Sequence, residues 1–308
     1  MENAVKKINR LLIVISAMCV LVAATAQAAD FSEGSANVRV KFSDKFIYSN
    51  ADLMMPLFES PENAAFFINP VIGFDFKLKN SSRDAERFSF GLGQRLYLPG
   101  DQFDAAATGG LFEKGIIIGW NSYFDLQYSM YDNFMNKAGL GAEMLSDWVD
   151  ARVNAYIRLT DDKNLGKSVR RYNYYGTALY RDGFGRDHEI LRSGLDGEVG
   201  VRLPVPDQVG EMRVFGGGYY FDTSHVSSIS GITARFEWNP IPFLALGAEW
   251  TDSRKLNGEK WNAQLGFHLP FSANALTTGY SPINVDFTPK TGNLWHDRYT
   301  SSVRRNNF

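Results

Sequence analysis

Between Val149 and Leu159, apolar side chains hold every odd position (Val149, Ala151, Val153, Ala155, Ile157, Leu159), while Asp150, Arg152, Asn154, Tyr156 and Arg158 hold the even ones. A period of two is the signature of an extended strand with one apolar face and one wet face. About eleven residues of it is the span a tilted strand needs to cross a bilayer, roughly twice the length of a strand in a soluble sandwich. Between turn signals the pattern recurs near 35–42, 46–57, 66–79, 87–98, 115–129, 137–146, 148–159, 195–204, 212–222, 229–239, 243–251 and 261–271. The expectation is therefore all-β: a transmembrane antiparallel up-and-down β-barrel of about 12 strands in an outer membrane.

The beginning of the chain supports export. Lys6, Lys7 and Arg10 precede an apolar run from Leu11 to Ala24, and Ala26-Gln27-Ala28 follows. This is the layout of a signal peptide cleaved after Ala28 or Ala29, so residues 1–28 are set apart from the fold. The run is too short for a confident spanning helix, and no later stretch is long and charge-free enough for one. Cys19, the only cysteine, lies inside the leader, so the mature chain is expected to have neither thiol nor disulfide. The whole chain carries −2; residues 1–28 contribute +2, leaving about −4 on the remainder, which argues against a nucleic-acid partner. The 23 Phe, 14 Tyr, 6 Trp and 28 Gly suit aromatic girdles and closely spaced strands.

An even strand count returns both termini to the periplasm, so connections after even strands should be short turns and those after odd strands surface loops. Asn239-Pro240-Ile241-Pro242 and Pro204-Val205-Pro206-Asp207 fall after even strands, where proline ends pairing. Polar stretches 79–86, 222–228 and 251–260 and the long loop from Thr160 to Gly194 follow odd strands. Pro99 to Lys114 breaks the rule, being a long insertion on the short-turn side. Leu195, Val199, Val201 and Leu203, then Ile232, Ala234, Phe236 and Trp238, then Trp261, Ala263, Leu265, Phe267, Leu269 and Phe271 should face lipid. An Arg or Lys at mid-depth on that face costs roughly 2–4 kcal/mol, so the charged alternates should face the lumen. The pore-lining candidates are Arg95, Asp125, Asp150, Arg152, Arg158, Asp196, Glu198, Arg202, Arg235, Glu237 and Glu249. They would either neutralise one another or set ion selectivity in a wet pore.

Gly91-Leu92-Gly93-Gln94-Arg95-Leu96-Tyr97-Leu98-Pro99 resembles the G-x-G-Q-R-x-x-L-P strand of the intimin/invasin family of inverse autotransporters. Further blocks resemble that family's barrel in the same order: Gly119 to Asp125 with Gly139-Leu140-Gly141-Ala142-Glu143, Asn154 to Arg158, Gly194-Leu195-Asp196 with Leu203-Pro204, Pro240-Ile241-Pro242 with Gly247, and Arg304-Arg305-Asn306-Asn307. The resemblance spans roughly 35 to 308 and rests on the ordered set. It implies a twelve-stranded barrel whose C-terminal segment threads the pore to display an adhesive passenger. The sequence ends at Phe308, where that passenger would begin, and has no N-terminal peptidoglycan-binding module; a passenger-less porin-like channel or structural barrel is thus the rival reading.

The expected organisation is a signal peptide at 1–28, the barrel at 29–271 and a pore-threading or plug segment at 272–308. The last segment could span about 120 Å extended or about 55 Å as a helix, more than a membrane of roughly 40–45 Å. Its plug or linker candidates are Arg298, Arg304, Arg305, Asn306 and Asn307, with the arginines free to meet carboxylates such as Asp196, Glu198 and Glu237.

Chemistry beyond this is thin. Ser224-His225 with Ser227 and Ser228 invites a barrel lipid hydrolase, but adjacency in sequence does not build a dyad and the Asn-Gly of the barrel phospholipase motif is missing. His188, His225, His268 and His296 are scattered, without metal-ligand spacing. Gly91-x-Gly93 lacks the third glycine of a dinucleotide fingerprint, and its glycines fit close packing in the wall better. Neither cofactor, metal nor enzymatic activity is expected. In the long loop, Lys163, Lys167, Arg170, Arg171, Arg181, Arg186 and Arg192 alternate with Tyr172, Tyr174, Tyr175 and Tyr180. They would contact lipopolysaccharide phosphates or a host surface, or else form an ordinary solvated loop. The expected partners are outer-membrane lipid and lipopolysaccharide, with barrel-assembly machinery and periplasmic chaperones in biogenesis, around a monomer.

Overall fold

The structure, a computed structural model, describes residues 34–43, 46–60, 64–77, 84–166, 177–223, 225–252, 261–271, 298 and 302–305. The signal peptide with Cys19, the loop residues Lys167, Arg170, Arg171, Tyr172, Tyr174 and Tyr175, and also Ser224, His296, Asn306 and Asn307 lie outside the described residues.

Seven strands come first: β1 (Gly34–Phe42), β2 (Phe46–Ser60), β3 (Ala64–Lys77), β4 (Ala85–Leu98), β5 (Ile116–Tyr128), β6 (Phe134–Ser146) and β7 (Val149–Arg158). Three short ones follow: β8 (Lys163–Asn164), β9 (Thr177–Arg181) and β10 (Asp187–Leu191). The last five are β11 (Ser193–Arg202), β12 (Glu211–Asp222), β13 (Ile229–Ile241), β14 (Leu244–Thr251) and β15 (Trp261–Phe271). All except β8 to β10 form one closed antiparallel barrel in the order β1-β15-β14-β13-β12-β11-β7-β6-β5-β4-β3-β2. These twelve are the strands expected from period-two alternation, with ends shifted by at most three residues. Pairing β1 with β15, Gly34 opposite Phe271 through Phe42 opposite Ala263, closes the cylinder and removes the edges that an open sheet would expose.

Alternation decides the faces. On β4, Phe88 (44% exposed) and Phe90 (43%) point out while Arg87, Ser89, Gly91, Gly93 and Arg95 are buried inside. Leu195, Val199, Val201, Ile232 and Trp261 likewise lie on the exterior. A continuous belt of large exposed apolar side chains would be a liability in water and is the required surface in lipid. No described helix is long and apolar enough to cross a membrane. Register shifts occur between Pro56 and Phe58 on β2 and between Trp238 and Ile241 on β13. Both lie beside a proline, Pro56 and Pro240, which has no N–H to give the ladder.

The two ends differ. At the turn end, β6 and β7 are joined through Asp147 and Trp148 alone. The exception there, residues 99–114, is a folded insertion. It contains a short helix α1 (Ala105–Thr108) whose amide at Ala106 donates to Asp104 at 2.9 Å, and the Phe103 and Phe112 rings meet at 5.6 Å. Its exit is tied to the rim, since the Tyr97 hydroxyl donates to the Lys114 carbonyl (2.9 Å) and Lys114 reaches Asp147 (3.2 Å). At the loop end, β8, β10 and β9 form a small sheet, which corrects the reading of 160–194 as an ordinary solvated loop. Ala178, Leu179, Ile190 and Leu191 give it a buried apolar side. Glu189, fully buried, accepts from Ser129 Oγ (2.8 Å) and Asn133 Nδ2 (2.7 Å) on the β5–β6 turn, and burial raises its carboxyl above the usual glutamate value.

Candidate functional site: the lumen and the C-terminal segment

On β1, β7, β11, β12 and β13 inward-facing charges sit two residues apart, and across the barrel such charges meet partners on adjacent or next-but-one strands, so the interior is built largely as cross-strand ion pairs. Arg87 clamps Asp75 with two bonds of 3.0 and 3.1 Å. Arg95, with no exposed surface, pairs with Glu143 at 2.7 Å while its guanidinium lies 5.4 Å from the Phe67 ring centre. Arg152 bridges Glu198 (3.1 Å) and Glu143 (3.6 Å). Arg235 reaches Glu198 (2.9 Å) and Glu237 (2.6 Å) over the face of Phe215, and Lys41 reaches Glu249 at 2.9 Å. Charges withdrawn from water this far need such partners, because an unpaired one costs several kcal/mol.

Into this interior comes the far end of the chain. Arg298 grips Asp150 with bonds of 2.7 and 2.8 Å and donates to the Ser146 carbonyl (2.6 Å) near the turn end. Ser302 donates to Asp52 at 2.9 Å, and Val303 packs with Met54, Phe67 and Tyr123. Arg304 lies among Glu249 (3.1 Å), Glu198 (3.5 Å) and Glu237 (3.9 Å). Arg305 binds Asp125 through two bonds of 2.9 and 2.7 Å and lies 4.0 Å from the centre of the Tyr123 ring. Asp150 sits one residue inside the turn-end limit of β7, whereas Asp125 sits three residues from the loop-end limit of β5. From Arg298 to Arg305, then, the chain runs from the turn end towards the loop end.

The eleven pore-lining candidates divide accordingly. Arg95, Arg152, Asp196, Glu198, Arg235, Glu237 and Glu249 project into the interior, and Asp125 and Asp150 hold the C-terminal arginines. Two sit at the rims: Arg158 pairs with Asp162 (3.1 Å) beside the loop end, and Arg202 pairs with Asp147 (2.7 Å) at the turn end. The expected partners of the tail need correction. Arg304 does meet Glu198 and Glu237, but Arg298 and Arg305 take Asp150 and Asp125, and Asp196 accepts from Asn154 instead (2.9 Å). Depth along the pore decides these pairings, and depth is not written in the alternation.

Reading charge by parity on β2, β4, β6 and β12 as well would have added Asp52, Arg87, Glu143 and Arg213. Gly91 faces the Tyr123 ring, with which a methyl group there would collide, so close packing is its role. In the outer loops, His188 pairs with Asp182 (3.0 Å) and His225 with Asp162 (3.2 Å), on opposite faces of the Tyr180 ring. Arg181 and Arg186 are held by Asp187 and Asp182, both at 2.9 Å, and Arg192 is buried, so three of the basic loop residues are committed within the fold.

Comparison with curated proteins gives no match. Among solved structures, one from work on the in-meso crystallization of membrane proteins aligns at 16% identity, with a TM-score of 0.54, over 85% of this chain and 98% of that one. An outer membrane channel from Pseudomonas putida F1 (10% identity, TM-score 0.46, 79% and 96% covered) and outer membrane phospholipase A from Escherichia coli (10%, 0.42, 80% and 96%) also align. The family model for the inverse autotransporter β-domain matches residues 20–307. Closed barrel, lipid-facing belt and family match agree: the chain belongs to the inverse autotransporter β-domain family and is an outer-membrane β-barrel.

Proposed function

We propose that this chain is a translocator and membrane anchor, without catalytic activity, whose own C-terminal segment passes through the barrel towards the cell surface. The observation that carries the reading is the set of contacts from Arg298, Ser302, Arg304 and Arg305 to acids on β7, β2, β14 and β5. Four anchors on four strands, the first near the turn end and the last near the loop end, describe a segment routed along the pore. Residues 1–28 act as a cleaved leader, 29–271 as the barrel and 272–308 as the pore segment, and family membership links the module to surface display and adhesion. Lipid surrounds the monomeric barrel, and lipopolysaccharide meets its loop end.

Two measurements test this. A short epitope appended after Phe308 should be cleavable by protease added to intact cells. Deleting 273–308 should convert a mostly closed barrel in planar bilayers into one with steady conductance. An inaccessible epitope together with steady conductance of the intact chain would instead establish the porin-like channel.

A further inference from the structure

We infer that the wall formed by β5, β6 and β7 contains a guanidinium-specific pocket, formed by Asp125, Tyr123, Tyr156 and Gly139, which latches the C-terminal segment and is specific for arginine over lysine. The inference rests on the reading that this segment occupies the pore.

Four features define the pocket. Asp125 offers both carboxylate oxygens in one plane to Arg305, at 2.9 and 2.7 Å, a geometry that a planar fork satisfies and a single ammonium does not. Tyr123 presents its face at 4.0 Å and Tyr156 a second aromatic surface at 5.6 Å, so the cation is bounded by rings. The first ring is held before the arginine arrives: its hydroxyl donates to Asn69 (2.5 Å), and Asn69 donates to Asp52 (3.1 Å) and to the Leu53 carbonyl (2.7 Å). Gly139 supplies the room, because a Cβ there would come within 2.5 Å of Arg305 Nη2. Lys137, cross-strand from Asp125 and 5.2 Å from the Tyr156 ring centre, is a second cation close to this site. Tied to the wall, it cannot present a fork to Asp125.

Among the described residues, nothing comparable surrounds Arg304. Its acids lie at 3.1, 3.5 and 3.9 Å, and each also serves Lys41, Arg152 or Arg235. That site attracts positive charge; the Asp125 site reads shape as well.

The test uses the full-length chain in planar bilayers with four variants: Arg305→Ala, Arg305→Lys, Arg305→Ala with Asp125→Asn, and a deletion of 298–308. Arg305→Ala and Arg305→Lys should both raise the frequency of large openings, by about tenfold for the alanine. Ethylguanidinium added to Arg305→Ala should restore closure, whereas ethylammonium at equal concentration should not, and Asp125→Asn should abolish the rescue. Equal action of the two cations, rescue that survives Asp125→Asn, or an Arg305→Lys chain gated like the parent would overturn the pocket. The deletion separates the two levels of argument. If it opens the barrel while Arg305→Ala does not, the segment fills the pore without a latch; if it changes nothing, the routing itself is wrong.

Discussion

The two walls that receive Arg304 and Arg305 solve one problem in different ways. On the β4–β6 side each arginine has one principal acid at 2.7 Å: Arg95 has Glu143, which Arg152 reaches only at 3.6 Å, and Arg305 has Asp125, and an aromatic ring lies against each guanidinium. On the β11–β13–β14 side, acids and bases are shared, with Glu198 alone serving Arg152, Arg235 and Arg304. Dedicated pairs confer geometry and fail abruptly when one member is lost. Shared clusters confer tolerance, because the remaining partners redistribute.

The sharpest way to break this contrast is to neutralise one acid on each wall. Glu143→Gln leaves Arg95 sealed from water without its nearest carboxylate and should lower barrel stability by about 3–5 kcal/mol in urea unfolding from detergent. Glu249→Gln leaves Lys41, whose side chain is 24% exposed and can turn to solvent, and Arg304, which retains Glu198; about 1 kcal/mol is expected. Equal losses would abolish the distinction. A finer probe is Gly139→Ala, which should shift Arg305 without removing any charge and raise pore openings a few-fold, whereas Gly247→Ala near the shared wall should leave gating as it was. The smallest effect concerns the outer cap. Because burial raises the Glu189 carboxyl, the folded state holds this proton more tightly than the unfolded chain does. The contribution of Glu189 to the cap is therefore fully present below the ordinary glutamate range and is lost as pH rises through the raised value. Amide exchange on β9 and β10, corrected for its intrinsic pH dependence, should show that trend in the parent chain and lose it in Glu189→Gln.

The barrel was legible because lipid requires a predominantly apolar outer face: Leu195, Val199 and Val201 could be assigned outward from sequence alone, and with them the inward face of Asp196, Glu198 and Arg202. The cap was not. Its strands run to two and five residues, and they carry Asp187 and Glu189 where a buried strand ordinarily has apolar residues, so they read as loop. Their burial becomes sensible only once Arg181, Ser129 and Asn133 are beside them. Within the pore, sequence supplied the charged residues and their face but not their height, so which acids Arg298 and Arg305 meet was not legible. Insertion 99–114 resisted reading because its closure depends on Tyr97 and Asp147, outside the segment itself.

Neighbouring arginines gripping opposite walls impose a rule on movement. The side chains of Arg304 and Arg305 project to opposite sides, so displacement by one residue would turn each of them towards the wall built for the other. Only a stride of two, about 6.8 Å, restores sidedness. A polypeptide advancing through this conduit would therefore proceed in paired clicks, like a pawl over alternate teeth, resting wherever an arginine falls due on the correct side.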